Sequence, residues 1–272
     1  MRVGVDAGGT SIKAGLVSRG KVIKFLKVKA PHHKDEYISA LINVIEKLWH
    51  QKVTVIGIGI PGPADYKEGI IGKTPNIPLG GVNLKLALKR FKVPIKFEND
   101  AVCFALGEAK YGIAAGKKVV VGITLGTGVG GGIIVDGKPF KGQGNAGHVC
   151  QIVICDEYSN DKFFKFHTLE SRCSARAFHA SPKLLQKSAE HGNRQAIKAF
   201  DDYGKSLGVG IGTLIGILDP DMVVVGGGLA KSWHLFKDSM KETIKQITPF
   251  KANVVKFKLK HSALLGAAGL DF

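Results

Sequence analysis

The chain has 272 residues, 44% of them hydrophobic, which is long enough to bury one large core or two modest ones. It contains no run of about 18 uninterrupted apolar residues of the kind a membrane-spanning helix needs, and its four cysteines lack the CxxC spacing of a disulfide framework or an autonomous zinc motif. The formal net charge is +17, but the 39 Lys and Arg form no block of five; scattered like this they describe a solvated surface that attracts nucleotide or polyphosphate at long range, with no signature of a specific nucleic-acid reader.

The opening MRVGVDAGGT is patterned as a strand and a turn, so a soluble cytoplasmic protein with reduced thiols is expected. Strands are predicted over 2–6, 11–17 and 21–28, with a glycine turn at 7–10, as an antiparallel meander. Residues 35–50 carry Ile38, Leu41, Ile42, Ile45 and Leu48 at helical spacing, and 53–60 returns as a buried strand. Residues 61–82, rich in proline and glycine, are expected to be an ordered surface loop. A short helix (83–90), a strand (93–97) and a helix (101–110) follow.

A second unit begins after Tyr111-Gly112 with strands at 118–125 and 132–135 around a glycine turn, then a glycine-rich loop at 137–147. Residues 149–165 carry no clear pattern. Helices are predicted over 169–180, 195–218 and 232–247, with strands at 222–225 and 254–259, and a final apolar helix at 264–270 that returns to the first unit. Both halves start strand, glycine turn, strand, which suggests a duplicated α/β unit with a cleft between the copies. The expected division is 1–111 and 112–260, with 261–272 rejoining the first part.

Glycine turns bring backbone N–H groups close to phosphate because no Cβ intervenes. Three are present: Asp6-Ala7-Gly8-Gly9-Thr10, Gly126 to Gly132, and Gly226-Gly227-Gly228. The second matches GxGxxG, but the β-like Ile133-Ile134-Val135 follows it where a dinucleotide-binding fold requires a helix. Lys67 to Thr74 resembles the end of a Walker A loop, yet Lys67 stands at the first glycine position and Pro75 follows Thr74. Glu98-Asn99-Asp100 forms a polar step between a strand and a helix. A carboxylate fixed there can act as a general base, but taken alone the step reads first as Asp100 capping the helix.

In order, DAGGTSIK, GIGIPGP, TPNIP, ENDA, GTGVGGG, GNAGH and LDPDMVVVGGGLA resemble the motifs of the ROK sugar kinases, glucokinase-like members of the actin/hexokinase ATPase superfamily, over nearly the whole chain. The resemblance implies a two-lobed actin-like ATPase (ribonuclease H-like) α/β fold with an interdomain cleft. It also implies ATP-dependent phosphorylation of a hexose or N-acetylhexosamine, glucose at the 6-hydroxyl foremost, with ATP and Mg²⁺ as cofactors.

By the same resemblance Asp6, Gly8, Gly9, Thr10 and Lys13 form the first phosphate loop, with Asp6 orienting the Mg²⁺ of MgATP. Thr127 and Gly128 form the second phosphate loop, and Gly227 and Gly228 the adenosine turn. Asn76, Asn99, Asp100, Asn145, His148 and Glu170 form the sugar site, with Asp100 as base. A homodimer is implied, since family members are often dimers.

Two departures stand out. Asn145 occupies a position where the family usually has Glu. The family's zinc-cluster cysteines would fall at Asp161, Phe163 and Thr168, so no zinc cluster is expected. Alternatives are a sugar-responsive regulator without catalysis, although no helix-turn-helix precedes Asp6, and a polyphosphate-dependent kinase.

Overall fold

The structure, a computed structural model, describes residues 1–74, 77–158 and 165–271. It divides into two compact units, Met1–Gly116 with Gly137–Gly144 and Lys258–Phe272, and Lys117–Asp136 with Asn145–Phe257.

In the first unit β1 (Arg2–Ala7), β2 (Ser11–Ser18) and β3 (Lys21–Lys29) form the antiparallel meander. Helix α1 (Lys34–Leu48) buries Tyr37, Leu41, Val44, Ile45 and Leu48, one stripe at helical spacing, against the sheet. Strand β4 (Val55–Ile60) returns parallel to β1. The proline-rich stretch expected to be pure loop contains a small antiparallel hairpin, β5 (Ala64–Asp65) and β6 (Ile70–Ile71), and the next helix is cut to α2 (Leu84–Ala87) plus a 3₁₀ turn at Lys89–Phe91. Strand β7 (Ile95–Asn99) joins parallel to β4, giving the order β3-β2-β1-β4-β7, and runs straight into α3 (Asp100–Tyr111).

The second unit starts with β8 (Val119–Leu125) and β9 (Val129–Val135), antiparallel. Its strand begins at Val129, so Gly130 to Gly132 belong to β9 and only 126–128 form the turn. The two-residue strand β10 (Lys138–Pro139) belongs to the first unit, where it lies against α3. The unpatterned stretch holds β11 (Val153–Tyr158), which pairs with β12 (Phe166–Thr168).

The helix expected over 169–180 stops early. Helix α4 (Leu169–Cys173) ends because Ser174 is extended and the Ala175 amide turns away to donate to the Gly126 carbonyl at 2.8 Å. Helix α5 (Pro182–Glu190), not predicted from the sequence, starts with Pro182 in its first turn. Helix α6 (Arg194–Leu218) is capped by Asn193, whose side chain accepts from the Ala196 amide at 3.0 Å. Strand β13 (Met222–Gly226), α7 (Trp233–Ile247) and β14 (Asn253–Lys256) complete this unit, with β13 parallel to both β8 and β14. Its core joins Val121, Ile123, Val223 and Val225 to Phe200, Leu207, Phe236 and Met240.

Helix α8 (Ser262–Ala268) then packs on the first sheet. Alternation in RVGVDA and VIGIGI sends Val and Ile to the core under α1, and glycines to the opposite face. A Cβ on Gly4 or Gly57 would land on the carbonyls of Leu264 and Ala267. The spacing of small residues in two strands thus makes the seat for a helix from the far end of the chain. Buried Glu108 of α3 secures it, accepting from the Ser262 hydroxyl at 2.6 Å.

Candidate active site

In the first unit the register places Lys27, Lys13, Asp6, Gly59 and Glu98 opposite one another across all five strands. Directly paired residues share a face, so this is one polar row on the α3/α8 side of the sheet. Asp6 is mostly buried and pairs with Lys13 Nζ at 2.7 Å. Gly59, in the middle, keeps the row low enough for Cys103 Sγ and the Asp100 backbone to sit above it.

Beyond the row lies the first glycine turn. It is held at its base by the Tyr37 hydroxyl, which donates to the Gly8 carbonyl at 3.1 Å, and by the Gly8 amide donating to the Ser11 carbonyl. Gly9 and Thr10 are exposed at its tip.

Asp100 is half-buried at the first turn of α3. The cap itself is Asn99, whose Oδ1 accepts from the Ala101 amide at 2.9 Å and the Val102 amide at 3.4 Å. The N-cap position therefore belongs to its neighbour, while Asp100 Oδ1 shares the Ala101 amide at 2.9 Å. Asn99 Nδ2 donates to the Tyr66 hydroxyl at 3.2 Å, so both ends of that amide are engaged. Burial, followed by the Asp6 carboxylate, pushes the Asp100 carboxyl from its ordinary value up to about 6; the Ala101 amide and Lys13 pull the other way. Burial also keeps the Tyr37 and Tyr66 hydroxyls protonated far above their ordinary range.

In the second unit the other two glycine turns are neighbours. Gly227, at φ +88°, lies against Leu125, the last residue of β8 before the 126–128 turn, and a Cβ there would strike the Leu125 carbonyl. Gly228 faces open space and Thr127 is exposed. Glu170, from the first turn of α4, accepts from the Val129 amide through Oε2 at 3.0 Å and from Arg176 through Oε1 at 2.9 Å. A Cβ on Gly128 would sit 2.8 Å from Glu170 Oε2, so glycine is needed there for the carboxylate to reach the β9 backbone. Asn145 and His148 are exposed on the segment leading to the 3₁₀ turn Val149–Gln151.

Of the residues singled out from sequence, Asp6, Gly8, Gly9, Thr10, Lys13, Asn99 and Asp100 belong to the first unit. Thr127, Gly128, Asn145, His148, Glu170, Gly227 and Gly228 belong to the second. Asn76 lies outside the described residues, as do Asp161 and Phe163; Thr168 caps α4. Sequence reasoning missed Tyr37, Tyr66 and Arg176. Tyr37 lies in an apolar helical stripe and reads as core, and no local pattern marks the other two.

The residues suit a nucleotide with its metal. Asp6 offers a hard carboxylate oxygen of the kind Mg²⁺ prefers, and Mg²⁺ is commonly held by one or two carboxylates together with substrate phosphates. Among the described residues no cluster of three or more His, Cys, Asp or Glu forms a cage. Exposed Gly9, Thr10, Thr127 and Gly228 leave the turn tips open to phosphate and base.

The ROK family model matches residues 2–270. A glucokinase of Thermotoga maritima is 28% identical over 89% of this chain and 86% of its own. The N-acetyl-D-glucosamine kinase of Salmonella newport is 32% identical over 85% of this chain and 84% of its own. A crystal structure of a ROK family glucokinase from Streptomyces griseus, in complex with glucose and AMPPNP, superposes with a TM-score of 0.84 at 28% identity, covering 98% of both chains. The chain belongs to the ROK family, and its fold is the actin-like ATPase α/β fold.

Proposed function

We propose that this protein is a sugar kinase that transfers the terminal phosphoryl group of ATP to a hexose or N-acetylhexosamine, with glucose, at its 6-hydroxyl, as the first acceptor to test. The observation that carries the reading is Asp100: a half-buried carboxylate at the head of α3 whose pKa, about 6, keeps it ionised yet basic near neutral pH. The glucokinase and N-acetylglucosamine kinase relatives support the acceptor class.

In this mechanism Asp100 accepts the proton of the acceptor hydroxyl while that oxygen takes the phosphoryl group from ATP. Asn99 anchors the helix end that carries the base. The amides of Gly9 and Thr10 and of Thr127 and Gly128 donate to phosphate oxygens, and Lys13 balances the charge of Asp6. Asp6 is the residue assigned to Mg²⁺, which when bound neutralises charge on the phosphates. Gly227 and Gly228 provide the flat backbone on which the adenosine rests. Asn76, Asn99, Asn145, His148 and Glu170 select the sugar through its hydroxyls, since a site built to bond a hydroxyl strongly penalises its absence.

A coupled ADP-release screen tests the proposal over glucose, mannose, fructose, N-acetylglucosamine, N-acetylmannosamine and allose, with ATP or polyphosphate as donor. Sugar-dependent, Mg²⁺-dependent ADP formation is the expected result. Turnover with polyphosphate alone would move the donor assignment, and sugar binding with no turnover on any donor would favour a sensor.

A further inference from the structure

Glu98 sits at the end of the polar row, one residue before the helix cap and two before Asp100. It is 4% exposed, on the α3 side of the sheet. Its Oε1 accepts from the Asn99 amide at 2.9 Å, and Oε2 faces Lys141 Nζ at 3.0 Å. A carboxylate this deep keeps its charge only with a close counter-charge. Lys141 brings that charge from the 137–144 segment, whose two-residue strand Lys138–Pro139 also lies against α3.

Apart from the Gly144 amide donating to the Lys141 carbonyl at 2.7 Å, the segment is dominated by glycine. Gly137, Gly142 and Gly144 all adopt positive φ (75°, 53° and 119°), and residues 140–145 are exposed. Glycine at such positions leaves the chain many alternative conformations, so an anchor between them determines where the segment rests. Three residues after Lys141 the chain reaches Gly144, from which Asn145 and His148 extend.

We propose that the Glu98–Lys141 ion pair is a latch that fixes the 137–148 segment, making Lys141 a positioning residue for acceptor binding. This rests on the kinase reading, in which Asn145 and His148 contact the sugar. Lys141 touches neither nucleotide nor reacting atoms in this account; it determines where the sugar-binding residues wait. The backbone step Glu98-Asn99-Asp100 thereby carries both the base and the anchor of Lys141.

The test compares Lys141→Met, Lys141→Arg and the double variant Glu98→Gln/Lys141→Met in the full-length protein. Methionine keeps the stem of Lys141, and the double variant removes both charges so that no unpaired carboxylate is left to unfold the protein. Lys141→Met and the double variant are expected to raise the acceptor KM at least ~10-fold while the ATP KM and kcat stay within about threefold, with Lys141→Arg close to the parent protein. Hydrogen exchange, which requires no activity, is expected to speed up at least ~10-fold in peptides covering 137–148 in both.

Unchanged exchange would overturn the latch. Faster exchange with an unchanged acceptor KM would overturn the positioning role. An inactive parent protein would sink the kinase reading, and the acceptor role with it, while exchange still decides whether the latch exists.

Discussion

Asn99 caps the helix that Asp100 begins: its side-chain oxygen takes the Ala101 amide at 2.9 Å. Asp100 Oδ1 shares that amide at 2.9 Å, but only Asn99 also reaches the Val102 amide, at 3.4 Å. Asn99→Ala removes the cap and is expected to cost about 1 kcal/mol of unfolding free energy. It also loosens the placement of Asp100, so turnover should fall with it. Urea denaturation and initial rates on the same preparation check both; an unchanged denaturation midpoint would mean that the cap contributes nothing.

The carboxyl of Asp100, raised to about 6 by burial and by Asp6, gives a pH dependence with a defined sign. As a base it must be ionised, so kcat/KM for the acceptor should decline below pH ~6, approaching tenfold per unit. Stability runs the opposite way. Because the folded value lies above the ordinary carboxylate value of 3.8, the contribution of this group is fully present below that value and is lost as pH rises through about 6. Melting temperatures of the parent and Asp100→Asn should therefore diverge in favour of the variant between pH ~4 and ~7 and run parallel above. A constant difference across that window would contradict the assigned environment.

Gly227 is confined by its own backbone, at φ +88°, and by the Leu125 carbonyl where a Cβ would fall. Gly227→Ala is expected to destabilise the protein by more than ~1 kcal/mol and to raise the ATP KM at least ~10-fold, with the acceptor KM nearly unchanged. Separate KM measurements for the two substrates distinguish this from a general loss of folding. A rise in the acceptor KM alone would remove Gly227 from the nucleotide side.

What could be read from the chain was local. Glycine turns at 8–10, 126–128 and 227–228, strand alternation in RVGVDA and VIGIGI, and the polar step before α3 all carry their own conformational signal. The cap was ambiguous because Asn and Asp cap about equally well, so sequence cannot say which of two neighbours does it. The break after Cys173 was illegible because it depends on the Gly126 carbonyl, 49 residues away from the Ala175 amide that bonds to it. Glu170 could be named as a sugar ligand by resemblance, but its bonds to the Val129 amide and Arg176 emerge only when β9 and α4 meet. Lys141 arrives on a glycine-rich segment with no periodicity, and nothing in its neighbourhood points to Glu98. Helix α5 had a legible start in Ser181-Pro182, which lay within reach of the sequence reading.

Whether Asp100 is the base is decided by steady-state turnover of Asp100→Asn beside its thermal unfolding at pH 7.5. Asparagine preserves the shape of the side chain and is no useful base, and the cap at Asn99 is untouched. A folded protein is expected, at least as stable as the parent at that pH, with kcat lowered at least ~100-fold. Near-parental turnover in a folded Asp100→Asn would contradict the assignment of Asp100 as the base.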